Sequence, residues 1–231
     1  MQYVDIYKGT AYLEKNPSWH AEEAPFKVKY MLQLFERHKM SPTTICEVGC
    51  GTGEVLKQLQ DSMGPDHEFW GYDITPVAQR LIEPRLNDKL HFKLADPSKE
   101  DNFYDLLLVL DVVEHVEDYF GFLRSIRSIA RHKLFHFPLD MSVQAVIRKN
   151  GMMKRRLDHA HLHYFTKELA LAALADTGYE IQDYFYLPRS NEIGPSLLQK
   201  AFRLPRAVLY ALHHDFAARL LGGYSFMILA R

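Results

Sequence analysis

Four apolar runs in this chain end in, or lead directly into, a carboxylate. Thr43–Val48 contains Glu47, Glu68–Asp73 ends on Asp73, Leu90–Ala95 leads into Asp96, and Tyr104–Leu110 leads into Asp111. The first run continues as Gly49-Cys50-Gly51-Thr52-Gly53, with glycines at alternate positions, and then as the helix-forming Glu54–Leu59. Glycines in such a turn let backbone N–H groups approach a nucleotide-like ligand, because no side chain holds the ligand off. Asp73 stands 20 residues after Gly53, where a carboxylate accepts hydrogen bonds from ribose hydroxyls. Asp96 is placed to accept from an adenine amino group, and Glu47 and Asp111 add negative charge near the middle of the ligand. Several carboxylates at short range repel a pyrophosphate and suit a cation. The glycine spacing agrees: the dinucleotide fingerprint needs its last glycine one residue later, where Glu54 stands.

A second group of residues offers proton chemistry. His115 follows the fourth run and is a candidate general base for an acceptor hydroxyl, as are His161 and His163 within His159-Ala160-His161-Leu162-His163-Tyr164. Alternating histidines on one extended segment supply no identifiable fourth ligand, so no metal is expected. Blander roles stand beside these. Asp96-Pro97 is an ordinary turn start. Asp111 and Glu114 suit the positive end of a helix, and the histidines suit plain structural bonding. Lys149, Lys154, Arg155 and Arg156 form a basic, loop-like run that would either meet an anionic acceptor or lie solvated.

The elements that must position these residues alternate. Strands are expected at Thr43–Val48, Glu68–Asp73, Leu90–Ala95, Tyr104–Leu110 and His132–Phe137. Helices are expected at Gly53–Ser62, Thr75–Ile82 and Glu117–Ile129. Leu106 to Leu110 is apolar throughout, as in a strand buried on both faces of a parallel sheet. This rhythm predicts a doubly wound α/β sheet. Before it, Phe26, Tyr30, Met31, Leu34 and Phe35 mark a helix over Pro25–His38, and Trp19 and Tyr7 suit a lid that excludes water. After it come a helix from Thr166 to Asp176, a strand over Tyr179–Leu187, and a long amphipathic segment Ser196–Leu221 with a kink at Pro205. Tyr224–Ala230 is the last strand. We read residues 1–231 as one domain: an arm or lid over 1–42, a cofactor half over 43–138 and an acceptor half over 139–231.

Bulk properties narrow the function. The chain has 231 residues and a formal net charge of −1, which argues against nucleic acid or an anionic membrane as a general partner. Its two cysteines, Cys46 and Cys50, read as reduced buried thiols. The N-terminus lacks a signal-peptide pattern and no run approaches the roughly 18 apolar residues of a spanning helix. A cytoplasmic protein is expected.

Glu47-Val48-Gly49-Cys50-Gly51-Thr52-Gly53 resembles the first motif of the class I S-adenosylmethionine-dependent methyltransferases. Gly71-Tyr72-Asp73-Ile74 resembles their second motif. Leu110-Asp111-Val112-Val113-Glu114-His115-Val116 resembles the turn after their fourth strand. His163–Leu169 with Thr177–Ile181 is similar to the small-molecule branch of that family. The resemblance implies a Rossmann-like, mostly parallel seven-stranded sheet with an antiparallel last strand. It implies S-adenosylmethionine as cofactor. Gly49 and Gly51 would lie against its methionine part, oriented by Glu47. Asp73 would hold the ribose, Ile74 would pack on the adenine, Asp96 would accept from the adenine amino group, and Leu110 and Asp111 would line the pocket floor. The activity implied is methyl transfer to an O, N or C atom of a small acceptor, and the basic run and the amphipathic Ser196–Leu221 segment leave room for one that is anionic or lipid-like. The long C-terminal helix would serve as a cap, a membrane contact or an oligomer interface. Two rival readings use the same motifs: a nicotinamide-dependent oxidoreductase, and a non-catalytic cofactor-binding module serving a partner protein.

Overall fold

The computed structural model describes residues 11–189 and 203–231. Its sheet has seven strands in the order β3-β2-β1-β4-β5-β7-β6. These are β1 (Thr44–Val48), β2 (Glu68–Asp73), β3 (Leu90–Leu94), β4 (Tyr104–Leu110), β5 (Ala130–Pro138), β6 (Ile181–Leu187) and β7 (Ser225–Ala230). β7 runs antiparallel to both of its neighbours, and the pairs among β1 to β5 are parallel. β1 sits between β2 and β4, so the chain reverses direction across the sheet at the β1/β4 boundary. Ligands of open α/β sheets bind beyond the carboxyl ends of the strands at such a point.

The uninterrupted apolar run of β4 has the expected cause. Leu107 and Val109 pack into the core on one face with Phe135 and Ile228. Leu106 and Leu108 pack on the other face with Leu34, Leu56 and Phe69. Each face is covered because side chains alternate along a strand. The second face is closed by α2 (Ala24–His38) and α3 (Glu54–Met63). α2 begins with Pro25 in its first turn, where a missing N–H costs nothing, and it ends at Lys39 in the left-handed region. α1 (Ala11–Lys15) precedes it, and α4 (Pro76–Ile82) and α5 (Tyr119–Ile126) connect the central strands. Asp118 caps α5 by accepting from Gly121 N at 2.9 Å.

Two expectations for the last third are corrected. The basic stretch read as a loop forms α7 (Gly151–His159), after the short α6 (Val143–Ile147). Met, Lys, Arg and Leu are good helix formers, and their charge says nothing against a helix. The long C-terminal segment forms two helices, α9 (Arg203–Leu212) and α10 (His214–Leu221), split at the extended His213. Pro205 falls in the first turn of α9, where proline is tolerated, so it makes no kink. The part of that segment at 196–202, and Tyr7, lie outside the described residues. α8 (Lys167–Asp176) starts where expected, with Thr166 Oγ1 accepting from Leu169 N at 3.3 Å. Among the described residues no helix is long and apolar enough to cross a membrane.

Candidate active site

A cavity of about 430 Å³ opens beyond the carboxyl ends of β1, β2, β4 and β5. The glycine turn forms one wall. Gly49 N and Cys50 N donate to Tyr72 O at 2.7 and 3.1 Å, which ties the turn to β2. Gly49 and Gly51 have φ of 69° and 51°. A Cβ on Gly49 would meet Val112 at 2.7 Å, and one on Gly51 would meet the Trp19 ring at the same distance. Glycine is therefore required twice over at these positions, by backbone conformation and by space.

Asp73 is buried beside this wall and organises it. Its Oδ2 accepts from Gly51 N at 3.1 Å, and its Oδ1 accepts from Thr75 N and Oγ1 at 2.8 and 2.7 Å. A carboxylate has about four lone-pair directions, so acceptor capacity remains for a ligand's hydroxyls. Glu47 is buried, and its Oε2 meets no hydrogen-bond partner among the described residues. Burial pushes its pKa up to about 8, helped by Asp73 and Asp111 and opposed by Lys27. A buried carboxyl with an unpartnered oxygen beside a glycine turn fits a positively charged group such as the ammonium of S-adenosylmethionine's methionine part. Ile74 and Leu110 also line the cavity, and Ile74 is 66% exposed.

Asp111 lines the cavity but is already engaged. It pairs with Lys27 Nζ at 2.5 Å and bonds His136 Nδ1 at 2.6 Å. Against the upward push of burial, His136 and Lys27 hold its carboxyl well below the usual range. Its φ of 53° is unusual for a residue other than glycine and marks a locally constrained turn. Asp96 is not brought to the cavity: its Oδ1 closes its own turn, accepting from Ser98 N at 3.0 Å.

The opposite wall comes from the segments carrying histidine. His115 and His161 meet there, with ring centroids 5.0 Å apart, and His159 lies 5.7 Å from His161. His161 Nδ1 bonds Asp140 Oδ2 at 2.5 Å, and His115 Nδ1 bonds Ala160 O at 3.2 Å. Burial, with His161 nearby, lowers His115 to about 3, so its imidazole is neutral. His163 is turned away from the cavity, bonding Glu117 O at 3.2 Å and packing on Tyr119. That placement does not support the catalytic role expected of it: regular alternation would put His161 and His163 on one face, but the segment that follows the left-handed Ala160 is not a regular strand. Of the basic run, Arg155 alone lines the cavity, where it pairs with Asp140 at 3.2 Å.

The N-terminal arm lies over the cavity. Lys15 Nζ donates to Leu157 O at 2.9 Å, and Asn16 Nδ2 donates to Asp158 O at 3.2 Å, joining the arm to α7. Arg189 Nε bonds both oxygens of Glu23 at 3.1 Å. Trp19 and His20, both at positive φ, project from this arm into the cavity wall.

Lys27, His136 and Asp140 escaped the sequence reading, although two of them had a signal. Lys27 stands at the i, i+4, i+7 spacing of buried Met31 and Leu34, so it lies in apolar register on α2. His136 stands between buried Phe135 and Phe137 in β5, two residues from buried Leu134. A charged or polar residue in a core position is the informative observation.

Residues 19–184 match a family described as a methyltransferase domain. No curated protein matches the chain. Among solved structures, the plantazolicin methyltransferase BpumL in complex with SAH is similar at 13% identity and a TM-score of 0.62, over 99% of this chain and 95% of that one. The magnesium protoporphyrin IX methyltransferase of Synechocystis PCC 6803, with bound SAH, aligns at 16% identity and a TM-score of 0.56, over 91% and 82% of the two chains. The cyclase SpnF aligns at 16% identity and a TM-score of 0.58, over 88% and 80%. At these identities the likeness is one of fold.

Proposed function

The chain belongs to the methyltransferase-domain family, enzymes whose methyl donor is S-adenosylmethionine, and from that premise we propose that it methylates a hydroxyl oxygen of a small molecule. One observation carries this reading: a single cavity is lined by the glycine turn and Asp73 on one side and by His115 and His161 on the other. The donor's sulfonium already makes the methyl group electrophilic. The chain's own residues have to align the two partners, keep water out and take the acceptor's proton.

Glu47, Gly49, Gly51 and Asp73 would bind the donor, with Ile74 against its adenine and Leu110 beneath it. Trp19 and the pinned arm would exclude water. His161 is the favoured proton acceptor. The Asp140 carboxylate fixes the ring and takes up its Nδ1 proton in a hydrogen bond, so Nε2 is the nitrogen that can accept. Arg155 and Arg189 at the cavity wall suit an acceptor that carries negative charge. The test is incubation with methyl-labelled donor and a panel of hydroxylated acids and phenols. Labelled ether products support the reading. Absence of donor binding in calorimetry overturns it.

Donor binding should also be coupled to protonation. Free Glu47 holds its proton below about pH 8, whereas the donor's ammonium and sulfonium favour the carboxylate. Binding at a pH of about 6 should therefore release close to one proton, and affinity should rise as the pH is raised towards 8. Calorimetry in buffers of different ionisation enthalpy counts that proton. Glu47→Gln should abolish the release, and an unchanged count in that variant would remove Glu47 from the role.

A further inference from the structure

Glu114, His115 and His161 bring one ligand atom each to within 4.8 Å of one another. We propose that these three side chains form a binding site for a divalent metal ion of the zinc class, on the acceptor side of the cavity. Glu114 carries the argument. Its residue is fully buried, and neither carboxylate oxygen meets a hydrogen-bond donor among the described residues. A buried carboxyl with no donor is expensive unless something else approaches it. His115 Nε2 lies 3.9 Å from Glu114 Oε1.

The surroundings are those of a metal site. Metal-binding histidines commonly give their other ring N–H to a carboxylate or backbone carbonyl, which fixes the ring and its tautomer. His161 does this with Asp140 and His115 does it with Ala160 O, at 2.5 and 3.2 Å. The backbone of Glu114 is anchored as well, since its carbonyl accepts from Leu162 N at 2.8 Å and His163 N at 3.1 Å. That pair of hydrogen bonds joins the turn after β4 to the histidine segment and sets His115 and His161 side by side. Two imidazoles and one carboxylate are the donor set of open zinc sites and of other imidazole-preferring divalent metals. Ligand atoms around a tetrahedral ion with bonds of about 2.1 Å lie roughly 3.4 Å apart, so the side chains would close in by about an ångström.

The sequence argued against a metal because His159, His161 and His163 alternate on one segment. The fold takes a single histidine from that segment and supplies the other ligands from the turn after β4. Such an ion would occupy His161 Nε2 and leave coordination positions towards the cavity, where an acceptor's hydroxyl or carboxylate oxygen could bind and a bound hydroxyl would be acidified by the ion, in place of proton transfer to His161. That last role rests on the proposed function, whereas the site itself does not.

Tag-free protein, stripped with a chelator and titrated with Co²⁺ or Zn²⁺, tests the site. One equivalent of Co²⁺ per chain is expected, with a visible ligand-field spectrum. His161→Ala and Glu114→Gln should each weaken binding at least 10-fold, and Asp140→Asn about 10-fold through loss of ring orientation. His163→Ala should bind as the parent does. The site is overturned if the parent binds no more Co²⁺ than the His161→Ala chain, or if His163→Ala is equally impaired. Binding of S-adenosylhomocysteine, followed in the same preparations, reports on the donor site separately. Its retention beside a failed Co²⁺ titration overturns the metal site alone, and its loss beside a normal Co²⁺ spectrum overturns the proposed function alone.

Discussion

Lys27→Met should lower the stability of the protein by about 2–3 kcal/mol, read from denaturant unfolding. Lys27 is buried, and its ammonium pairs with Asp111 at 2.5 Å beneath the cavity. Methionine preserves most of the aliphatic stem, so the loss is electrostatic rather than a packing void. Removing one partner of a buried pair usually costs about 3–5 kcal/mol, because the other charge is left uncompensated. Here the effect is smaller, since Asp111 keeps His136 at 2.6 Å and about a quarter of its side chain is open to the cavity. The pH dependence has a definite sign. Asp111 is held well below its ordinary pKa, so its stabilising contribution is present above about pH 4 and is lost as the pH falls through the lower folded value. The difference between parent and variant should therefore narrow in strong acid, where Asp111 is neutral in both. A difference that stays constant down to acid pH would show that the ion pair is not its cause.

The same pair explains why part of the site was legible in the sequence and part was not. The strands and the glycine turn follow from local signals: an apolar run, alternating glycines, a helix start. Asp73 was found because its distance from the turn is fixed by one strand–helix–strand unit. Asp111 was found at the end of its strand, but its partners were not, because Lys27 lies on α2 and His136 on β5. Contacts between distant elements leave no periodicity. The histidines illustrate the point further. Their spacing invited a reading within one segment, while the meeting of His161 with His115 depends on two hydrogen bonds between Glu114 O and the backbone of 162–163. Asp96 shows a simpler case, in which a carboxylate at a strand end closes its own turn through Ser98 N, a bond that the local Asp96-Pro97 sequence predicts.

Asp73→Ala should weaken binding of S-adenosylhomocysteine by about 100-fold, since two charge-assisted hydrogen bonds to vicinal hydroxyls contribute about 1.5–3 kcal/mol each, partly offset by desolvation. The variant also disturbs the protein itself, because Asp73 receives Gly51 N–H at 3.1 Å and Thr75 N–H at 2.8 Å. Loss of those acceptors would loosen the glycine turn and lower affinity without any ribose contact. A double cycle separates the two causes. If Asp73 holds the ribose, a deoxyribose analogue should bind the parent protein weakly, and Asp73→Ala should cost that analogue far less than it costs the full ligand. If Asp73 only braces the turn, both ligands should lose the same factor. The first outcome places the carboxylate on the ligand. The second makes it a positioning residue that acts through Gly51, and donor recognition then rests on the turn's own backbone and on Glu47.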